Sequence, residues 1–217
     1  MVIANKGTLD RQILKVEEDI LRMGALVENS FWLAHSAMFE RNLDNAAYLD
    51  IQDKQVDIIY RHVEVECLNL ITIYSPISPS DLRLLSTFMQ IVRDLERIGD
   101  YAENLGEIAI KLFPYPTPPH MELVKTMSNR CRAMLAMSLG ALSNFDAALA
   151  AEVKIKDDAV DADYKTLYDL LAQEKSHAPA SLEPFLLMVL TIHHLERMAD
   201  HATNIGQRIA YIVTGKR

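Results

Sequence analysis

Proline falls at only three places in this chain, and that spacing constrains the fold more than any other feature. Pro76 and Pro79 lie in YSPISPSD, four more prolines crowd PYPTPP at 114–119, and Pro179 and Pro184 flank ASLE. A proline inside a helix removes a hydrogen bond and clashes with the preceding turn, so the proline-free stretches between these breaks are free to be long helices. The 66 residues from Leu9 to Tyr74 contain none. One helix of that length would run about 99 Å, so a reversal is expected near Asn42 to Asn45. The same argument splits 120–175 near Asn144 to Asp146. With only 7 Gly in 217 residues and few β-branched runs, the chain reads as all-α. Six helices are expected, at 9–41, 44–74, 81–113, 120–143, 147–175 and 182–214. Thr8, Ser80 and Ser181 are expected N-caps.

The two halves are repeats. At an offset of 100, IVRDLERIGDYAENLGE (91–107) and TIHHLERMADHATNIGQ (191–207) agree at seven of 17 positions: Leu95, Glu96, Arg97, Asp100, Ala102, Asn104 and Gly106 with their counterparts. At an offset of 104, Ile51, Asp53, Val56, Asp57 and Tyr60 match Ile155, Asp157, Val160, Asp161 and Tyr164. A repeat unit of three helices implies two tandem three-helix bundles related by internal duplication. Residues 1–113 form the first repeat, 114–119 a Pro-rich linker and 120–217 the second.

Within the third helix, apolar positions 84, 88, 91, 95, 98, 102, 105, 109 and 112 step by alternating 4 and 3, a heptad seam that marks the core face. Glu96, Asp100 and Asn104 lie on the far side of the wheel, as do Glu196, Asp200 and Asn204 in the sixth helix. The second helix buries Val56, Ile59, Val63, Cys67 and Leu70, which leaves Asp53 and Asp57 on its shoulder. If the second and third helices are antiparallel neighbours, Asp53, Asp57, Glu96 and Asp100 collect into one carboxylate group, and Asp157, Asp161, Glu196 and Asp200 into another. Carboxylates at i and i+4 stand about 6 Å apart, a span that a cation bridges. Oxygen-only donors suit Mg²⁺, Mn²⁺, Ca²⁺ or iron. Solvated acidic faces neutralised by Arg97 and Arg197 would give the same pattern. His193 shares the acidic face as a candidate extra ligand, while His194 points to the core edge and reads as a packing residue.

Charge and motif content exclude other classes. A formal charge of −8 disfavours nucleic acid as a partner. The longest apolar run, Phe185 to Ile192, falls short of the roughly 20 residues that span a bilayer, and MVIANKGTLDRQ lacks the apolar stretch of a secretory signal. A cytoplasmic location follows as the expectation. Cys67 and Cys131 stand alone and read as core thiols. Glu174 to His177 fits ExxH once, at a helix end and without a second copy, which argues against a ferritin-like di-iron core. With no Gly-rich phosphate loop, GxSxG or HExxH, the sequence carries no sign of an enzyme.

LERIGDYAENL and LERMADHATNI, closing two three-helix repeats, together with Asp81-Leu82-Arg83 and RNLDNAAYLDIQDKQVD, resemble the PhoU family of phosphate-transport and phosphate-regulon regulators across nearly the whole chain. The resemblance implies bundles lying side by side and single or multinuclear metal centres of iron, Mn, Mg or Zn on the two carboxylate groups named above. Asn104, Asn204, Arg97, Arg197 and His193 are the additional candidates around them. It also implies a non-enzymatic, homodimeric, cytoplasmic negative regulator. Such a regulator acts at the inner face of the membrane with the phosphate ABC transporter and a sensor histidine kinase. The alternative is a metal-independent scaffold or transporter accessory protein that binds a partner through its acidic face. Two departures stand out: SPISPS precedes Asp81 where the family has a shorter turn, and His193 stands where Arg93 stands in the first repeat.

Overall fold

The computed structural model describes residues 3–173 and 182–216, and the helical periodicity of the sequence is realised throughout. In chain order the helices are α1 (Ile3–Phe39), α2 (Leu43–Ala47), α3 (Leu49–Ile73), α4 (Pro79–Leu112), α5 (Met121–Asn144), α6 (Ala147–Gln173) and α7 (Leu182–Thr214). α1, α3 and α4 pack on one another as one three-helix bundle, and α5, α6 and α7 as a second. The two bundles dock through α4 against α7 and α1 against α5. No helix among the described residues is long and apolar enough to cross a membrane.

Three boundaries differ from the sequence expectation, each for a local reason. α1 starts at Ile3, so Thr8 lies inside a helix and does not cap it. The chain reverses at Arg41, which takes φ of +57°, and the expected second helix is broken at Tyr48 into the one-turn α2 and the long α3. The cap of α4 is Ser78, two residues ahead of Ser80: its Oγ accepts the Asp81 backbone N–H at 3.1 Å. Pro79 takes the first helical position, where its missing N–H costs nothing. Asp146 caps α6, its Oδ1 accepting the N–H groups of Ala148 and Leu149 at 2.9 and 3.1 Å. The expected cap Ser181 and the ExxH stretch lie outside the described residues.

The heptad seam of α4 is buried from Phe88 to Leu112, with Leu84 partly buried against it. α7 repeats it with Met188, Leu195, Met198, Ala202, Ile205 and Ile209. Both cysteines are free and buried, and burial pushes the Cys67 thiol up to about 12, so neither thiol is poised for chemistry. α4 also buries a second stripe, Leu85, Val92, Gly99 and Gly106, against its own bundle, and Asp94 on the side that meets α7, with Thr87 and Ile108 one heptad or two along from it. The conserved spacing of Gly106 and Gly206 between repeats has a packing cause. A Cβ at Gly106 would stand 2.2 Å from Leu49 Cδ1, and one at Gly206 only 2.8 Å from the Ala150 carbonyl oxygen.

Where α1 meets α5, His35 is 6% exposed and its Nδ1 lies 2.9 Å from Ser128 Oγ. Burial, aided by the cations Arg132 and Lys125, lowers its pKa to about 4.

Two outcomes are expected from this packing. Gly206→Ala should destabilise by about 1–3 kcal/mol in denaturant titration, and more than Gly106→Ala, because a main-chain oxygen yields less readily than the end of a leucine side chain. For His35 the folded chain binds fewer protons than the unfolded chain between about 4 and 6.5. The stability it carries is therefore complete above pH 6.5 and lost as pH falls toward 4, by up to about 3 kcal/mol. Denaturation from pH 7.5 to 4.5 should show that loss in the wild type, and His35→Gln should flatten it.

Candidate metal centres

Each repeat sets an acidic groove between its second and third long helices. In the first, Asp53 and Asp57 project from α3 toward Glu96 and Asp100 on α4. Their proximity is visible in how they titrate. Burial raises the Asp53 pKa, and the charges of Asp100, Asp57 and Asp50 raise it further. Glu96 is raised by burial and by Asp100, with Asp57 and Asp53 adding to it. Asp100 is raised by burial against the opposing pull of Arg97. The second groove repeats this: Asp161 is raised by burial, Asp157 and Asp200, and Glu196 by burial, Asp200 and Asp161. The eight carboxylates thus gather in two groups of four.

The grooves are less open than the helical wheel implies. The Glu96 side chain is 15% exposed, Asp100 is half-buried, and Asp157 is 2% exposed. The correction has a simple cause: α4 is flanked by α1, α3 and α7, so only a narrow strip of it remains in contact with solvent. A wheel drawn for one bundle counts the strip facing the other bundle as free surface.

Cations of the chain itself hold these carboxylates. Arg97 donates to Asp100 Oδ2 at 2.9 Å and lies 3.3 Å from Glu96 Oε2. Arg197 donates to Asp200 Oδ2 at 2.7 Å and reaches Tyr101 on α4. Arg61 donates to Asp57 and Lys154 to Asp157, at 2.6 and 2.8 Å. Two equivalent atoms are left over: Asp53 Oδ1 and Asp157 Oδ1 are both buried without a hydrogen-bond partner. Among the described residues no three His, Cys, Asp or Glu side chains close into a formed metal cage. The donor set nonetheless fits a hard cation. It is oxygen-only, mutually repulsive, and leaves the same buried oxygen orphaned in both repeats.

The remaining candidates divide. His193 is exposed and lies near enough to Glu196 to lower its pKa, on the acidic side as expected. His194 packs on the Tyr101 ring at 5.4 Å. Asn104 turns back on its own helix, donating to the Asp100 carbonyl at 2.8 Å. Asn204 lines a cavity between α4 and α7. Glu103 was missed. It joins the first group, its pKa raised by burial and by Asp53 and Asp50, and its place seven residues after Glu96 on the same helix face was the available signal.

Fold and site together define a duplicated all-α protein with one acidic groove per three-helix repeat. Residues 20–109 and 124–209 each match the family model described as the PhoU domain. The phosphate-specific transport system accessory protein PhoU homolog of Synechocystis sp. is 50% identical over 212 residues, covering 98% of this chain and 94% of that one. The homologue of the same description from Pseudomonas putida is 32% identical over 94% of this chain and 80% of its own length. The crystal structure of PhoU from Pseudomonas aeruginosa superposes with a TM-score of 0.91 at 31% identity, covering 95% of this chain and 99% of that one. The phosphate transport system regulatory protein PhoU from Streptococcus pneumoniae gives 0.87 at 26%, covering 96% and 98%. The chain belongs to the PhoU family, whose members are regulatory accessory proteins and not enzymes.

The orphaned oxygen yields a direct test. In chelator, Asp53→Asn should stabilise the protein by about 1 kcal/mol, since the amide is uncharged and offers N–H donors to the surrounding carboxylates. A loss of stability in urea denaturation would mean that the Asp53 charge is a structural requirement.

Proposed function

We propose that this protein is a cytoplasmic, non-enzymatic regulator of phosphate uptake and of phosphate-starvation signalling, and that hard metal ions held in its two acidic grooves are part of its working form. The observation that carries the reading is the duplicated carboxylate group with the same unpartnered aspartate oxygen in each copy, on a chain of the PhoU family. Asp53, Asp57, Glu96 and Asp100 would hold an ion in the first groove. Asp157, Asp161, Glu196 and Asp200 would do so in the second, with His193 at its edge. Iron, Mn, Mg or Zn would supply charge neutralisation there. This chain's own residues set the electrostatic state of the surface: with Arg97 and Arg197 on the carboxylates the grooves are partly neutral, and with those arginines released a basic partner meets a different face.

The partners proposed are the phosphate ABC transporter and a sensor histidine kinase, with negative regulation as the output. The descriptions of the relatives support the transporter half of this reading. A net charge of −8 repels anionic lipid, so recruitment to the membrane would run through a protein partner. A homodimer is proposed as the assembly.

The experiment compares wild type with Asp100→Ala/Asp200→Ala in melting, each with chelator and with Mn²⁺ or Fe²⁺. Without metal the variant should melt at or slightly above the wild-type temperature. It relieves repulsion, replaces Asp by a better helix former, and loses only half-buried ion pairs worth about 0–1 kcal/mol. With ion at a hundredfold excess over Kd the wild type should gain about 2.7 kcal/mol, and the variant should lose most of that increment. A wild type that gains nothing from any hard cation leaves the metal-independent scaffold as the reading. Pulldown from phosphate-replete membranes then tests the partner side alone.

A further inference from the structure

The groove carboxylates are held by Arg61, Arg97, Lys154 and Arg197, and a separate region of the surface carries cations instead. Between α4 and the C-terminal half of α7 lies a cavity of about 510 Å³ lined by Gln90, Asn204, Gln207, Arg208, Tyr211 and Lys216. Among the described residues, no carboxylate lines it. Arg83 reaches its rim from α4, with its guanidinium carbon 5.8 Å from the Tyr211 ring centroid and its Nη1 against Gly215. Lys54, Arg61, Arg97, Lys111, Arg130, Lys154 and Arg197 are all paired with carboxylates. Among the described residues, no carboxylate lies within ion-pair distance of Arg83 or Lys216. On a chain of net charge −8, two such cations beside one cavity are a local reversal of sign.

Asp94 fixes the third cation. It is 4% exposed, so it lies beneath the cavity and not in it, and it accepts Arg208 Nε at 2.6 Å. Arg208 Nη1 meets Gln90 Oε1. Its guanidinium is thus held in place at the wall, with Nη2 left for other contacts. The amides of Gln90, Asn204 and Gln207 add neutral donors, the mixture of fixed charge and amide N–H groups that recognises phosphate oxygens. The volume sits within the about 300–1,000 Å³ of small-molecule pockets, and a bare inorganic phosphate would leave most of it empty.

We infer that this cavity binds a phosphate-bearing anion of nucleotide size, held by Arg83 and Gln90 from the first bundle and by Asn204, Gln207, Arg208 and Lys216 from the second. Such a ligand bridges the two repeats along α4 and α7. It sits apart from the acidic grooves and takes the opposite charge, so it does not depend on the metal reading.

The test is calorimetric titration of the full chain in chelator with ATP, AMP and inorganic phosphate. ATP should bind saturably, more tightly than inorganic phosphate and more weakly as salt is raised. Arg83→Gln and Lys216→Gln should each weaken it about tenfold and leave the melting temperature without ligand unchanged. Asp100→Ala/Asp200→Ala should bind ATP as the wild type does. The inference is overturned by absence of saturable binding at millimolar ATP, by inorganic phosphate binding as tightly as ATP, or by undiminished ATP binding in both cation variants.

Discussion

A single buried carboxylate, Asp94, governs how the two halves of this molecule meet. It projects from α4 into the contact with α7, where it is 4% exposed, and accepts from Arg208 at 2.6 Å while His201 Nδ1 stands 2.9 Å away on its other oxygen. A charge so placed is tolerable only with its partners in register, since desolvation costs several kcal/mol when one is removed. The antiparallel alignment of α4 and α7 is fixed accordingly. Positions 94 and 194 are equivalent in the repeats, as are 101 and 201, so the Asp94 to His201 contact has a counterpart in Tyr101 packed on His194. The duplication therefore produced an approximately twofold docking surface in which one copy carries charge and the other carries rings.

From that docking the acidic grooves follow. α4 and α7 are each covered on three sides, and their remaining strips carry carboxylates held half out of water. Burial and like charge act in the same direction on Asp53, Glu96, Glu103, Asp161 and Glu196, each of which is raised from its ordinary value. The folded protein thus carries electrostatic repulsion that Arg97, Arg197, Arg61 and Lys154 offset only in part. Surfaces of this kind respond to small changes in bound charge, because each group sits near neighbours that sense the change.

The sequence revealed what depends on periodicity and missed what depends on a partner. The heptad seam of α4 and its copy in α7 were legible because a helix displays its own core face at a spacing of 3 and 4. The pairing of Asp53 and Asp57 with Glu96 and Asp100 was legible because both motifs occur twice at nearly the same offset. The partly buried state of Glu96 was not, since the wheel of one helix shows nothing of the helices packed around it. Asn104 and Asn204 share one position on the helical wheel, yet Asn204 lines the cavity between bundles while Asn104 bonds its own backbone, a difference the wheel does not show. At the Ser78 cap the competing signal was local: Ser80 has the right chemistry, but Pro79 fixes the first helical position and puts the cap one residue before itself.

Duplication with divergence also makes the two grooves unequal. Counting by the offset of 104, Asp50 and Lys54 in the first repeat correspond to Lys154 and Asp158 in the second, a reversal of charge order on α3 and α6. In the first groove Lys54 is drawn away to Asp50 at 2.6 Å, leaving Asp53 without a cation bonded to it and with Glu103 as an added neighbour. In the second, Lys154 itself donates to Asp157, and Glu103 is replaced by the buried Thr203. A cation entering the first groove meets more negative charge and fewer bound ammonium groups. One entering the second must compete with Lys154 at a side chain that is 2% exposed, although His193 stands beside Glu196 as an added nitrogen ligand. Equal motifs therefore do not make equal sites: the motif supplies the oxygens, and the residues one turn away decide how strongly those oxygens call for a cation.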